Sequence, residues 1–324
     1  MKKNRKKKIA IIIIIAVLFL VVFLPIAAPT ILVGGVLGVL NIAKFGIYNE
    51  YYSLREVVCK NPGLNDGFVC QGIAVSESDE KILVSGYMKD DSPSRIYVTD
   101  LDSNSYYVSL TRNGEPFKGH AGGVAITNET VYLANGNKIY TFALDLVLNS
   151  SNAGVVEIGS GTKVNNEASF VYTDETYLYV GEFHDGGKYV TEHPYETNDG
   201  LYHAIVSRYD INDLSKPNKI YSIRDKVQGI CFTPDGRVVL STSYGLSNTV
   251  YYVYNESDAF DSGLTLDDAP VYYLNNCQRV VEGPAMGEDL DYYNGKIITL
   301  TESASNKYIF GKFFFANKIV ALSL

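Results

Sequence analysis

Five stretches of the chain share one local pattern, and this repetition restricts the fold more than any other feature. Each has a short run of β-branched and aromatic residues, a tight polar turn and a second such run, which is the signature of a β-hairpin. The stretches begin at Gln71, Gly122, Ala168, Gln228 and Glu288. Their starts lie 51, 46, 60 and 60 residues apart, at or just above the spacing of four-stranded propeller blades.

A third strand-like run follows each hairpin, beginning at residues 95, 138, 204, 249 and 318. Two of these runs, NKIYTFAL at 137–144 and NKIVALSL at 317–324, are almost identical. Beyond the N-terminus, no long window shows the apolar spacing of three and four residues that is typical of helices. The sequence therefore predicts an all-β fold, a β-propeller, because stacked repeats in a ring leave few exposed strand edges. A β-sandwich with chance hairpin similarity is the alternative.

The number of blades follows from the ends of the repeat. The fifth unit ends after three strands, and residues 47–59 precede the first unit without a partner of their own. Pairing this segment with the last strand gives a five-bladed β-propeller in which both ends of the chain share a blade. A six-bladed ring is the alternative, with residues 47–59 and 308–315 in a further degenerate blade.

The N-terminus predicts one transmembrane helix before the propeller. Residues 1–8 carry six positive charges and form a basic cytoplasmic end, and residues 9–40 are an apolar stretch that exceeds the roughly 20 residues a span needs. We expect residues 9–40 to be an uncleaved signal anchor, residues 41–66 a linker and ring-closing strand, and residues 67–324 the propeller. The protein is then a single-pass protein of the cell membrane with an extracytoplasmic propeller. A cleaved signal peptide is the alternative.

The charge balance argues against nucleic acid as a partner. Removing the six N-terminal charges from the formal net charge of −8 leaves −14. An acidic domain without a basic patch repels phosphate backbones. The expected partners are the membrane, through the N-terminal helix, and a small molecule or an extracytoplasmic protein.

Four cysteines, Cys59, Cys70, Cys231 and Cys277, lack the spacing of a metal finger. An even number of thiols in an exported domain favours disulfides. We expect bridges Cys59–Cys70, which would pin the ring closure, and Cys231–Cys277, between neighbouring inner strands. Four buried free thiols are the alternative.

A candidate site follows from the register of the repeats. Residues that start the first strands and end the second strands of successive blades lie on one face, around the axis. At these positions the side chains are mainly acids, amides, histidines and tyrosines, between apolar strand interiors. The predicted ligand-binding residues are Gln71, His120, Glu167, Glu182, His184, Gln228, Tyr244, Glu288 and Glu302. A polar rim that only binds water is the alternative.

The same rim could bind calcium, which prefers oxygen ligands. The predicted ligands are Glu167, Glu288 and Asp289, and His120 is the best candidate for a catalytic base. No nucleophile elbow, phosphate-binding loop or zinc-binding helix motif occurs in the chain. The absence of tryptophan argues against propellers that dock a quinone cofactor with tryptophan motifs.

The phrases GHAGGVAI, VQGICFTPDGRVVLSTSYG and GEDLDYYNGKIITLTES resemble exported bacterial propellers. The resemblance covers roughly residues 65–324 and points to the broad group of YncE-like, quinoprotein-dehydrogenase-like and SMP-30-like proteins. It implies the propeller fold, and the calcium-dependent lactonases of the group imply a metal on the axis.

Two functions follow as hypotheses. The first is a membrane-anchored binding or protein-interaction module that uses the polar rim and no certain cofactor, and it is favoured because catalytic motifs are absent. The second is a calcium-dependent, lactonase-like hydrolase with its site on the axis.

Overall fold

The computed structural model describes residues 47–324, of which Glu50–Leu324 form the propeller unit. A short helix, α1 (Asn49–Leu54), leads into the first strand, β1 (Arg55–Lys60). Blade 1 contains β2 (Phe68–Ser76), β3 (Lys81–Met88), β4 (Arg95–Thr99) and β5 (Ser105–Arg112). Blade 2 contains β7 (Gly123–Thr127), β8 (Thr130–Asn135), β9 (Lys138–Ala143) and β11 (Thr162–Lys163).

Blade 3 contains β12 (Phe170–Thr173), β13 (Tyr177–Gly181), β16 (Ala204–Asp210) and β17 (Lys219–Ile223). Blade 4 contains β18 (Val227–Phe232), β19 (Arg237–Thr242), β20 (Thr249–Asn255) and β23 (Arg279–Gly283). Blade 5 contains β24 (Gly287–Tyr293), β25 (Lys296–Thr301), β26 (Lys318–Leu322) and, as its outer strand, β1.

The ring is closed, and it has five blades. The first strands of the blades, β2, β7, β12, β18 and β24, are the inner strands, and each contacts the inner strands of both neighbouring blades. The strand β1 pairs antiparallel with β26, so that Arg55 lies opposite Leu322 and Lys60 opposite Lys318. The predicted five-bladed fold is confirmed. The six-bladed alternative is wrong, because residues 308–315 belong to the β25–β26 connection, with a short 3-10 helix at Gly311–Phe314.

Blades 2 and 4 each lend a strand to the preceding blade. After β9 and the short helix α2 (Asp145–Leu148), the strand β10 (Gly154–Glu157) pairs parallel with β5 of blade 1. In the same way β22 (Ala269–Tyr273) pairs parallel with β17 of blade 3. Three short hairpin elements complete the strands: β6 (Glu115–Pro116), β14 (Tyr195–Thr197) with β15 (Gly200–Tyr202), and β21 (Phe260–Leu266), which pairs with β22.

The hydrophobic core lies between the faces of adjacent blades. Leu83 and Val98 of blade 1 pack in one buried cluster with Val131 and Leu133 of blade 2. Equivalent clusters join blades 5 and 1 and blades 2 and 3. Because each sheet is covered on both faces, its middle strands are apolar at nearly every position rather than at alternate ones, as the buried pattern of β3 illustrates.

Glycines allow the inner strands to approach each other closely. A Cβ atom on Gly72 would lie 2.5 Å from the backbone nitrogen of Val124, and one on Gly123 would lie 2.5 Å from that of Val171. Gly229 has the same relation to β24. Crowding at the axis therefore requires glycine at these positions.

The predicted transmembrane anchor, residues 9–40, lies outside the described residues. Within residues 47–324 no helix has both the length and the apolar character needed to cross a membrane.

Neither predicted disulfide is formed, and all four cysteines are free thiols. Cys59 lies on β1, the outermost strand of blade 5, whereas the sulfur of Cys70 contacts the carbonyl oxygen of Thr301 at the end of β25, two strands further in. Cys277 precedes β23, the outer strand of blade 4, and not the inner strand of blade 5 as expected. Three strand spacings, about 14 Å, therefore separate it from Cys231 on β18, too far for a disulfide.

The axial crowding predicts a large effect of a single methyl group. The Gly72→Ala substitution should lower the free energy of unfolding by about 2 kcal/mol, because the new Cβ would overlap the backbone of β7. Urea unfolding measures the change. The matched control is Gly187→Ala, where the nearest atom would be 3.6 Å from the added Cβ and the change should stay within about 0.5 kcal/mol. Equal effects of the two substitutions would contradict the role given to axial packing.

Candidate functional site

One end of the propeller axis opens into a cavity of about 850 Å³. It lies where the inner strands begin and the second strands of the blades end. Loops from blades 3, 4 and 5 extend its wall, and they contribute Phe183, Tyr244 and Tyr308 among other side chains. The cavity is therefore built by the repeat itself, with each blade supplying the same two positions.

Seven of the nine predicted ligand-binding residues line this cavity. They come from all five blades, as the register argument requires, and they are Gln71, His120, Glu167, Gln228, Tyr244, Glu288 and Glu302. Their convergence is a property of the fold. That they bind a ligand stays a prediction.

Two carboxyl groups lie at the floor of the cavity. Glu288, near the start of β24, is only 3% exposed, and no group in residues 47–324 donates a hydrogen bond to its side chain. Glu302, after β25, is partly buried, and its Oε2 accepts a hydrogen bond of 2.9 Å from Nε2 of Gln71. Burial and the neighbouring Glu302 and Asp289 raise the pKa of Glu288 well above its usual range. Burial raises the pKa of Glu302 to about 7, against a hydrogen bond from Tyr308, the positive charge of Lys307 and a hydrogen bond from Gln71.

Basic side chains lie at the mouth of the same cavity. Lys307 donates a hydrogen bond to the hydroxyl group of Tyr87, and its ammonium group lies 4.5 Å from the centre of the Tyr87 ring. Lys188 donates to the hydroxyl group of Tyr189 at 3.0 Å. The ring of His120 packs 4.6 Å from that of Tyr87, although its outer side is exposed. Burial of the inner side and the nearby lysines lower the pKa of His120.

Two residues that line or adjoin the cavity have a strained backbone. Met286, just before β24, has φ = 62°, and Ala121, just before β7, has φ = 50°. Left-handed backbone is unfavourable for residues with a Cβ atom and often accompanies binding or catalytic sites. Met286 precedes β24 and Ala121 precedes β7, so in both places the left-handed conformation lies where the chain enters an inner strand.

Glu182 and His184 do not line the cavity but hold the loop that covers part of it. Oε2 of Glu182 accepts hydrogen bonds from the backbone N–H of Ile205 at 3.1 Å and from His193 at 3.0 Å. Nδ1 of His184 accepts a hydrogen bond of 3.1 Å from the backbone N–H of Thr191. These hydrogen bonds hold the loop between β13 and β16 on the side away from the cavity. On the other side the loop contributes Phe183, Tyr189 and Val190 to the cavity wall. The prediction that Glu182 and His184 face the cavity was wrong, because side chains alternate along this extended segment and Phe183, between them, is the one that faces it.

His184, His203 and Asp225 form the one group of three potential metal ligands in residues 47–324 whose ligand atoms lie within 4.8 Å of one another. The two imidazole rings are stacked, with centres 4.6 Å apart and planes 13° apart, so their in-plane lone pairs cannot point at one ion. Nδ1 of His184 is already an acceptor, and Nδ1 of His203 lies 3.0 Å from Asp225. The group therefore fits a structural role in fixing the loop better than a metal site.

The predicted calcium ligands are not brought together. Asp289 is fully buried in the ring, where its carboxylate accepts hydrogen bonds from the backbone N–H groups of Leu290 at 3.0 Å and Ile73 at 3.4 Å. It lines no described cavity, unlike Glu288 and the exposed Glu167. The alternation of side chains along β24 explains the correction, because adjacent residues of a strand point in opposite directions.

A second cavity of about 950 Å³ opens at the opposite end of the axis, where the hairpin turns gather. Its deepest acid is Asp291, which accepts hydrogen bonds of 2.8 Å from the backbone N–H groups of Val75 and Tyr292. Burial raises the pKa of Asp291 to about 7. Asp289 lies between Glu288 and Asp291 along β24 and lines neither cavity.

No sequence pattern pointed to Lys307 and Tyr308, although both line the first cavity. They belong to the long β25–β26 connection, which has no counterpart of similar length in blades 1, 2 and 4. Repeat register identifies only positions that recur in every blade. The length of this connection was the one available indication, and the six-bladed alternative assigned it to strands.

No protein-family model and no curated protein matches the chain. Solved structures do match. A nidogen/laminin complex has 11% identity and a TM-score of 0.38 over 72% of this chain and 73% of that one. The PQQ-bound aldose sugar dehydrogenase of Streptomyces coelicolor has 14% identity and a TM-score of 0.43, covering 76% of each chain. A putative Thermus oxidoreductase described as a glucose dehydrogenase has 13% identity and a TM-score of 0.42, covering 76% and 78%. Similarities of this size identify no family and assign no activity.

The raised pKa of Glu302 predicts a pH-dependent stability. Between its ordinary value of about 4.5 and about 7, the folded protein holds more protons at this group than the unfolded chain. Stability is therefore lost as pH rises through this window. The Glu302→Gln substitution keeps the acceptor for Gln71 and removes the charge. It should raise the free energy of unfolding on the order of 1 kcal/mol at pH 8, with little change at pH 4.5.

Urea unfolding at the two pH values measures this difference. The control is Glu129→Gln, an exposed acid at the opposite cavity, which should have little effect at either pH. If Glu302→Gln changes stability equally at both pH values, the carboxyl group is not perturbed as described.

Proposed function

We propose that the protein is a binding module that holds a small organic molecule in the cavity at the Glu288 end of the axis. The observation that carries this proposal is the convergence of polar side chains from all five blades on one cavity of about 850 Å³. This volume lies within the range of about 300–1,000 Å³ that ligand sites occupy.

The composition of the wall supports the same proposal. Aromatic side chains such as Phe183, Tyr244 and Tyr308 supply apolar surface, and a few polar groups are distributed among them. A site of this type holds the body of a ligand by apolar contact and fixes its orientation by hydrogen bonds. The resemblance to exported propellers is consistent with a binding role but names no ligand.

Protein binding at the same face is the second candidate, and a separate observation favours it. Large apolar side chains are exposed on the loops around the mouth, among them Val190 at 63%, Leu246 at 52% and Phe310 at 66%. Groups of exposed apolar residues often mark interaction surfaces. The calcium-dependent hydrolase is not favoured, because its predicted ligands lie apart.

The test is a variant that fills the cavity and leaves the exposed loops unchanged. Gln228, partly buried in the wall, becomes tryptophan in one variant, and the control Ser78→Trp places the same ring at the opposite cavity. We expect fragments from a library of several hundred small organic molecules, detected by ligand-observed NMR, to bind the wild type and Ser78→Trp but not Gln228→Trp.

Three outcomes separate the candidates. Loss of the bound fragments in Gln228→Trp alone supports the small-molecule function. Fragments that bind equally to both variants would place binding outside this cavity. Absence of bound fragments, with a melting temperature that calcium chloride does raise, would favour the calcium-dependent alternative instead.

We also propose that residues 9–40 anchor the propeller on the extracytoplasmic side of the cell membrane. Support comes from the apolar length of this stretch and from the six positive charges before it. The full chain, expressed in a bacterial host, should stay in the membrane pellet after extraction at alkaline pH, and a chain without residues 1–40 should be soluble. Mature protein that begins near residue 29 would show cleavage and contradict the anchor.

A further inference from the structure

Of the two acids at the floor of the cavity, Glu302 feels the positive charge of Lys307, whereas Glu288 has no positive partner. The side chain of Glu288 is almost wholly removed from solvent, lines the cavity and accepts no hydrogen bond from residues 47–324. No lysine or arginine of this part of the chain forms an ion pair with Glu288 or Glu302. A buried acid without a partner is unfavourable, and a bound cation with hydrogen-bond donors would relieve it.

The two lysines at the mouth of the cavity form no ion pair within residues 47–324, although the charge of Glu302 acts on Lys307 and that of Asp185 on Lys188. Lys188 and Lys307 are both exposed there, and each lowers the pKa of His120, so the three basic groups lie near one another. Burial and the charge of Lys188 lower the pKa of Lys307, and the charge of Glu302 opposes this shift. The hydrogen bonds that these ammonium groups donate go to tyrosine hydroxyl groups, not to carboxylates. An anion at the mouth would relieve their mutual repulsion.

We infer that the ligand of this cavity is a zwitterion, with a primary ammonium group bound by Glu288 and Glu302 and an anionic end near Lys188 and Lys307. The inference rests on the proposed binding function and specifies its ligand class. The wall of the same cavity includes Phe183 and Met286, so we expect the middle of the ligand to be apolar or aromatic.

An ammonium group fits the floor better than a metal ion does. Calcium takes six to eight oxygen ligands, and within residues 47–324 no third carboxylate joins Glu288 and Glu302 to form a compact group of ligand atoms. A primary ammonium group has three donors. Two carboxyl groups and the amide oxygen of Gln71, beside Glu302, supply a matching number of acceptors.

The probe is the tripeptide Ala-Phe-Ala in four forms that differ only in terminal charge. The free peptide is a zwitterion, the N-acetylated form an anion, the C-amidated form a cation and the doubly blocked form neutral. Calorimetry with the full propeller should give the tightest binding for the free peptide. N-acetylation should weaken binding at least about tenfold, because it removes the buried charge pair. C-amidation should weaken it about threefold, because the mouth is exposed and its charges are screened.

Variants assign each end of the ligand. In Glu288→Gln the effect of N-acetylation should fall below about threefold, with the effect of C-amidation unchanged. In Lys307→Gln the effect of C-amidation should become smaller, and the effect of N-acetylation should stay unchanged. Glu302→Gln repeats the first test if Glu288→Gln does not fold. The control Glu129→Gln, which removes one acid of the opposite cavity, should behave as wild type.

The outcomes separate this inference from the function on which it rests. Tighter binding of the acetylated or doubly blocked peptide would overturn the zwitterion and leave small-molecule binding in place. Fragments that bind in the cavity, together with no measurable binding of any peptide form at about 10 mM, would likewise overturn it. If neither fragments nor peptides bind, both proposals fail.

Discussion

The close approach of the five inner strands at the axis is the constraint on which the rest of the structure depends. Gly72, Gly123 and Gly229 leave no room for a side chain between neighbouring strands. The inner edge of each sheet has backbone N–H groups without a partner strand, and Asp289 and Asp291 of blade 5 accept hydrogen bonds from those of blade 1. Such donors would otherwise be buried without an acceptor, which is unfavourable.

The position of β24 at the axis also determines where the cavities lie. Its sequence places Glu288, Asp289 and Asp291 within four residues. Glu288 lines one cavity, Asp291 lines the other, and Asp289 lines neither but accepts a hydrogen bond from the backbone of blade 1. One strand therefore supplies both the interior contact that holds the ring together and the acid at the floor of the candidate site.

Two long connections on the Glu288 face, β13–β16 and β25–β26, extend the wall of the cavity beyond what the repeated blades supply. A propeller with short connections would leave a shallow polar opening at this end. Here the β13–β16 loop is fastened by His184, His193 and His203, and it brings Lys188 and Tyr189 over the opening. The β25–β26 connection brings Lys307 and Tyr308 from the other side. The acids at the floor occupy positions that recur in every blade. The lysines at the mouth lie on the two long connections, β13–β16 and β25–β26, that the other blades lack.

The sequence by itself determined the propeller fold and predicted the ring closure and seven residues of the cavity, because these follow from a repeated register that the fold maps onto one ring. The choice of five blades over six needed the structure, which places residues 308–315 in a connection. Tertiary structure decided the rest. Side-chain alternation turned Glu182 and His184 away from the cavity and placed Asp289 inside the ring. The order of strands in a blade separated Cys231 from Cys277. These outcomes depend on the distances between residues that are far apart in the chain. A local sequence pattern carries no information about such distances.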